Sequence, residues 1–278
     1  MTLEQALFAA RKALTRRRIV DAPLEAEVLL RHTLNLTRAQ LYTSFDLEIG
    51  LEDVGHYLSL VDRRLAGEPT AYIIGRREFY GLDFHVDRRV LIPRPESELL
   101  VEKAVQLARE GASSFADIGT GSGAIAISLA VSIPWAKVYA TDISGDALAV
   151  ALTNCREHRV DDRIELLAGD LLEPLSEAVD VIVANLPYVR EHEMSRVNTA
   201  GYEPPLALNG GLDGLDKLRR LCAQLEGRLK RGGTLLLEIG RGQKRTVRSF
   251  LQCYFPSARV DFTSDFAGIP RVVGLTLP

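Results

Sequence analysis

Asn185, Leu186, Pro187 and Tyr188 follow the apolar run VDVIVA. Such a run reads as a buried strand, and the tetrapeptide stands at its end. The Asn185 side chain offers an acceptor oxygen there, and the peptide carbonyl of Leu186 offers a second. Pro187 stiffens the chain around that carbonyl because its ring restricts φ. Two acceptors a few ångströms apart can hold both protons of a planar –NH2 group, and Tyr188 can stack on its plane. The pair therefore suits an amide or an aromatic amine. An amide nitrogen is a poor nucleophile because its lone pair is delocalised into the carbonyl. Fixed acceptors favour a more tetrahedral nitrogen, stabilise the charge that develops on it and aim its lone pair at an incoming methyl group. No strong base is required. Alignment contributes up to about 7–11 kcal/mol, and each preorganised dipole roughly 3 kcal/mol. The plainer use of such an asparagine is an Asx-turn closing a strand.

A second constellation lies upstream. FADIGTGSGAIAI places Gly119, Thr120, Gly121, Ser122 and Gly123 between a strand pattern and a helix pattern. Glycine permits the tight turn and lets a ligand approach the backbone. The next strand pattern, VYATDIS, ends at Asp142, where a carboxylate can accept both ribose hydroxyl protons. Together these features imply a ligand with a ribose. The turn also fits the loose dinucleotide pattern, so by itself it does not separate a nicotinamide cofactor from S-adenosylmethionine. A third strand pattern, LLAGDLL, ends at Asp170, placed to accept an adenine amino group, with Leu171 beside it to cover the base.

These residues need strands to carry them to one edge. From residue 96 onward, strand and helix patterns alternate: FADIG, then GAIAISLAVS, KVYATDI, SGDALAVALTNCREH capped by Ser144, RIELLAGD and VDVIVAN. A helix over LDKLRRLCAQLEGRL, a strand over GTLLLEIG, a helix over QKRTVRSFLQC and an antiparallel pair of strands complete the chain. This alternation predicts a doubly wound α/β sheet, whose ligands bind outside the carboxyl ends of the strands. Before it, residues 1–74 carry apolar residues at helical spacing and predict a small helical domain. Residues 75–95, alternating around Gly81, predict a β-hairpin linker.

Composition narrows the function classes. The 34 basic and 37 acidic residues leave a net charge of −3, so no overall positive field draws in a phosphate backbone. Cys155, Cys222 and Cys253 are widely spaced, which excludes a disulfide framework and suits a reducing cytoplasm. His32, His56, His85, His158 and His192 show no metal-ligand spacing. No apolar run is long enough to span a membrane. The basic cluster Arg16, Arg17 and Arg18 reads as a solvated helix face. Glu96 and Glu98 complement the dipole at a helix start or order the site.

The tetrapeptide NLPY resembles the (N/D/S)PP(Y/F) signature of amino-methyltransferases. The wider sequence resembles the release-factor glutamine N5-methyltransferases (PrmC/HemK family) over nearly its whole length. REFYGLDFHVDRRVLIPRPESELLVE is similar to that family's hairpin and Ile-Pro-Arg-Pro-Glu segment, and YEPPLALNGGLDGL and LLLEIGRGQ to its later blocks. The resemblance implies a seven-stranded Rossmann-like methyltransferase sheet over 96–278, behind a helical domain that docks the release factor. It implies transfer of a methyl group from S-adenosyl-L-methionine to the glutamine of a Gly-Gly-Gln tip, with S-adenosyl-L-homocysteine as product. Gly119 to Gly123, Asp142, Asp170, Leu171 and Asn185 would hold the cofactor. Asn185, Leu186, Pro187 and Tyr188 would hold the glutamine, with Asn185 and Tyr188 catalytic. Arg94 and Pro95 would line the approach. Two positions depart from the pattern: Leu186 stands for the usual first proline, and Ser97 for the usual threonine. A soluble cytoplasmic monomer with no metal, no membrane contact and no direct nucleic-acid target is expected. The alternative is a nucleic-acid methyltransferase acting on the exocyclic amine of adenine or guanine, since the same acceptors serve it.

Overall fold

A computed structural model of the chain describes residues 1–196 and 201–278. They form two compact units, Met1–Gly75 and Arg76–Pro278.

The first unit is helical: α1 (Leu3–Arg16), α2 (Ala22–Leu34), α3 (Arg38–Thr43), α4 (Leu51–Leu65) and α5 (Thr70–Ile74). The first helix starts where Thr2 and Gln5 form a reciprocal capping box, which satisfies two end donors. The apolar faces of α1, α2 and α4 bury Leu3, Leu7, Leu14, Leu29, Leu30 and Val61 together. Tyr57 is buried among them, and its hydroxyl donates to the Ala26 carbonyl at 3.0 Å.

The second unit begins with the hairpin of β1 (Arg76–Phe79) and β2 (Leu82–His85). Tyr80 and Gly81 both take positive φ, 53° and 72°, as a tight hairpin turn requires. The hairpin expected as a separate linker belongs to this unit. Asn154 on α8 (Gly145–Glu157) accepts from the His85 N–H at 2.8 Å and donates to the His85 carbonyl at 3.0 Å.

Past a short 3-10 turn (Pro95–Ser97), α6 (Glu98–Arg109) leads into the main sheet: β3 (Ser114–Ile118), β4 (Lys137–Asp142), β5 (Ile164–Ala168), β6 (Val179–Ala184), β7 (Leu229–Glu238), β8 (Arg259–Ser264) and β9 (Pro270–Thr276). The strand order is β5-β4-β3-β6-β7-β9-β8. Strands β3 to β7 pair in parallel, and β9 runs antiparallel to both β7 and β8. The helices α7 (Ala124–Ser132), α9 (Asp216–Ala223) and α10 (Lys244–Tyr254) complete the α/β pattern. Strands buried on both faces such as β6, with Val179, Val181, Ile182, Val183 and Ala184 all inaccessible and only Asp180 partly exposed, explain the largely continuous apolar runs.

One expected element is shorter. The helix predicted through Leu229 ends at Ala223. Leu225 and Leu229 keep helical spacing, but Gly227 takes φ of 73° and Leu229 pairs with Val179 at the start of β7. Pairing with the sheet overrides a local periodicity that both structures could satisfy.

Candidate functional site

The chain passes from one half of the sheet to the other between β3 and β6. The register there aligns three strand ends: Ile118 pairs with Ala184, and Ala184 with Leu237. Gly119, Asn185 and Glu238 therefore leave adjacent strands side by side. On the other flank Ile118 pairs with Thr141, which brings Asp142 level with the same turn. This is the crevice in which such sheets bind ligands.

The glycine turn takes positive φ at Gly119, Gly121 and Gly123: 73°, 56° and 81°. The N–H groups of Gly119 and Thr120 both donate to the Thr141 carbonyl at 2.9 Å. A side chain on Gly123 would stand 3.0 Å from Ile127 and 3.3 Å from Ala151, so that glycine serves close helix packing. A side chain on Gly121 would meet nothing within 4 Å. Gly121 is thus the residue whose open side a ligand can approach. Its N–H donates to Asp142 Oδ2 at 2.9 Å, and the Ser144 N–H donates to Asp142 Oδ1 at 2.9 Å. Each carboxylate oxygen keeps a second lone pair. Burial holds the Asp142 carboxyl above its ordinary pKa.

Beneath the turn lies Asp117, which the sequence reading did not single out. Its Oδ2 accepts from Thr120 Oγ1 at 2.7 Å and from the Ala126 N–H at 3.1 Å, while its buried Oδ1 has no partner among the described residues. Burial pushes its pKa up to about 7. Thr120 therefore points its hydroxyl inward, and Ser122 contributes its carbonyl to Asn154 Nδ2 at 2.8 Å.

A cleft with about 790 Å³ of empty space, including the part open to solvent, runs along this edge. Gly119, Gly121, Asp142, Asp170, Leu171, Asn185, Leu186 and Pro187 line it, with Val90, Ile143 and Leu206 adding apolar surface. Asp170 sits in its wall, already ion-paired with Arg220. Leu171 takes φ of 56°, a conformation disfavoured for a non-glycine residue, and its carbonyl accepts from Thr141 Oγ1 at 2.9 Å. A smaller cleft shares Gly119, Gly121 and Asn185 with the first and is otherwise lined by Pro93, Arg94, Ser97, Thr120 and Ser122, among others. Asn185 thus stands where the two meet.

The orientation of its amide is held from behind. Asn185 Nδ2 donates to Ser97 Oγ at 2.8 Å, and Ser97 Oγ donates to Glu238 Oε2 at 2.5 Å. The Tyr188 hydroxyl donates to the other oxygen, Glu238 Oε1, at 3.3 Å. Burial pushes the Glu238 pKa up to about 7, and burial beside that carboxylate raises the Tyr188 phenol. Leu186 is buried, with a methyl 3.3 Å from where a side chain on Gly119 would begin. Gln243 fastens the next stretch: its Nε2 donates to the carbonyls of Tyr188 and Gly214, both at 3.3 Å. Tyr188 also borders a further cleft with Arg190, Glu193, Arg241 and Gln243.

Arg94 is engaged by a partner far along the chain. Its Nη2 donates to both oxygens of the buried Glu203, at 2.8 and 2.6 Å, and the Ile92 N–H donates to Glu203 Oε1 at 3.1 Å. Pro95 opens the 3-10 turn that presents Ser97. The supporting residues Asp117, Glu238 and Gln243 were not read from the sequence as site residues, and Ser97 entered only as a departure from the family pattern. One signal was there: Glu238 ends an apolar strand, as Asp142 and Asn185 do.

Comparison with known proteins places the chain. A release factor glutamine methyltransferase from Moorella thermoacetica is 42% identical over 274 residues, covering 98% of this chain and 97% of that protein. The chain belongs to the release factor glutamine methyltransferase family. A second member, from Koribacter versatilis, is 40% identical over 278 residues, covering 98% of each. Two family models match: the PrmC N-terminal domain over residues 5–75 and the methyltransferase small domain over residues 95–201. Among solved structures, a methyltransferase from Pyrococcus furiosus is similar with a TM-score of 0.54 and 18% identity, covering 71% of this chain and 89% of that one. This last likeness concerns the methyltransferase fold alone. Among the described residues no helix is long and apolar enough to cross a membrane, and no group of His, Cys, Asp and Glu is arranged to hold a metal.

Proposed function

We propose that this chain transfers a methyl group from S-adenosylmethionine to the side-chain amide nitrogen of the glutamine in the Gly-Gly-Gln motif of peptide chain release factors. The observation that carries the reading is the Asn185 amide. With Nδ2 committed to Ser97, its oxygen is the part left to accept a proton from a substrate, at the junction of the two clefts.

The residues at the sheet edge suit the cofactor. Gly121 leaves open space at a positive-φ turn, Asp142 has lone pairs for ribose hydroxyls, and Leu171, Ile143 and Val90 offer apolar surface for a base. Among the described residues the buried Asp117 Oδ1 has no partner, and it fits an acceptor for a buried water. Bound S-adenosylmethionine supplies an electrophilic methyl group on a sulfonium.

The chain's own residues prepare the other reactant. Asn185 Oδ1 and the Leu186 carbonyl accept hydrogen bonds from the two N–H groups of the substrate amide. Their fixed dipoles stabilise positive charge on the nitrogen as its lone pair is drawn away from the carbonyl. Tyr188 flanks the amide plane. No residue need act as a strong base, because the proton leaves an already cationic nitrogen and passes to water at the part of the cleft open to solvent. The helical unit, Met1–Gly75, docks the release factor, and the enzyme works as a cytoplasmic monomer.

The test is incubation with purified release factors and isotopically labelled S-adenosylmethionine, followed by mass spectrometry of the digested factor. The label is expected on the glutamine of the Gly-Gly-Gln peptide. Label found only on an adenine-containing oligonucleotide supplied in parallel would overturn the reading.

A further inference from the structure

The reaction assigned above makes a demand that Asn185 cannot meet alone. An asparagine amide has an acceptor end and a donor end of nearly the same shape. Turned one way, Asn185 presents an oxygen to a substrate –NH2. Turned the other way, it presents its own –NH2 and repels that group. Something must choose between the two.

We propose that Ser97 and Glu238 are positioning residues that set the orientation of the Asn185 amide. Ser97 has one hydroxyl proton, and Glu238 Oε2 takes it at 2.5 Å. Toward Asn185, Ser97 can then only accept, and it accepts from Nδ2 at 2.8 Å. The acceptor end of Asn185 must face the other way. The choice is thus made by a carboxylate two hydrogen bonds from Asn185. The register sets the spacing, since Ala184 and Leu237 are paired and Asn185 and Glu238 both follow them. Ser97 reaches the same place from the 3-10 turn ahead of α6.

The relay works only while Glu238 is ionised. A protonated Glu238 can donate to Ser97 Oγ, which frees the Ser97 proton to turn toward Asn185 and favours the reversed amide. Several groups bear on this carboxyl. From the segment after β6 comes the Tyr188 hydroxyl, a donor to Oε1 at 3.3 Å. Glu96, ahead of α6, raises its pKa, and Arg271 on β9 lowers it. Arg271 is itself shared with Glu96 at 3.3 Å and Asp265 at 2.9 Å. Arg94 acts on the adjoining Tyr188. Burial outweighs these and leaves Glu238 at about 7, so the relay reverses within an accessible pH range. The sign is fixed: falling pH protonates Glu238 and lowers turnover.

This inference rests on the amide-methylating reading, so its test has one arm that needs activity and one that does not. In the first arm, wild-type kcat is expected to fall on the acid side with a midpoint near 7. Ser97→Ala should lower kcat by about 10–100-fold and abolish that limb, with cofactor affinity from calorimetry within about 3-fold of wild type. Ser97→Thr should restore both rate and limb. In the second arm, the 15N-labelled side-chain amide resonances of Asn185 are followed against pH. They should shift with the Glu238 titration in wild type and stay still in Ser97→Ala and Glu238→Gln. An Asn185 amide that ignores pH in wild type, or an acid limb that survives in Ser97→Ala, would overturn the assignment. A protein that methylates no release factor but shows the coupled Asn185 shift would refute the substrate and leave the relay standing.

Discussion

In the proposed reaction Asn185 donates and accepts at once, toward Ser97 behind it and toward an incoming amide in front. That double duty separates it from Asp142, whose oxygens hold the glycine turn through Gly121 and Ser144. The two residues should fail in different ways. Asn185→Ala is expected to reduce turnover by about 10²–10³ while leaving cofactor binding mostly intact. Asp142→Ala removes charge-assisted bonds worth roughly 1.5–3 kcal/mol each, so it should weaken the cofactor first. Steady-state kinetics and calorimetric titration of both variants check the contrast. Wild-type turnover in the first, or unchanged affinity in the second, would contradict the assigned roles. At this scale the sequence was most legible at polar residues closing apolar strands, as at Asp142 and Asn185, which line one cleft. It was silent on Asp117, because a buried acid within an apolar stretch has no distinctive neighbours until the sheet supplies them.

The tetrapeptide is held by elements distant in sequence. Residues 208–216 run beside it: Val189 N–H donates to the Leu208 carbonyl at 3.0 Å, Gly210 N–H to the Val189 carbonyl at 2.8 Å, and Val189 forms a bridge with Asn209. Contact is so close that a side chain on Gly214, at φ of 80°, would stand 2.4 Å from the Tyr188 carbonyl and 2.8 Å from Gln243 Nε2. Gly214→Ala must therefore displace the strap or strain it, at about 1–3 kcal/mol. A misplacement near 1 Å at the chemistry costs about 10²-fold. The variant is expected to lose turnover on that scale and to melt at a lower temperature; a thermal scan with kinetics reads both. Unchanged values in the two measurements would remove the strap from the account. The alternation of strand and helix was visible beforehand because burial on both sides of a parallel sheet writes continuous apolar runs. The end of α9 was not, since the spacing of Leu225 and Leu229 suits a helix until β7 pairs with β6.

Across the whole second unit, acids buried at the crevice make stability depend on pH in an unusual direction. Burial raises Asp117 from 3.8 to about 7 and Glu238 from 4.5 to about 7. Between their unfolded and folded values the native state binds more protons than the unfolded chain, so the slope of unfolding free energy with pH is negative. The stability these groups contribute is fully present below about pH 4 and is lost as pH rises through about 7. Denaturant titrations across that window should show the midpoint of the second unit falling, and Glu238→Gln should flatten part of the fall. A midpoint that climbs through the same range would contradict the burial argument. The site thus keeps acids ready at some cost to the fold that carries them, as functional sites commonly do.

Local chemistry and spacing were enough to pick out the tetrapeptide at the end of β6, the glycine turn, the helical first unit and the doubly wound sheet, because these depend on properties a residue carries with its near neighbours. Only the tertiary structure decided which partners complete the site. Arg94 meets Glu203, and Ser97 meets both Asn185 and Glu238, through strand register and chain crossings that bring together residues 88 to 141 positions apart. Hydrogen bonds between such residues leave no periodicity in a sequence. They exist only once the β3, β6 and β7 ends are aligned.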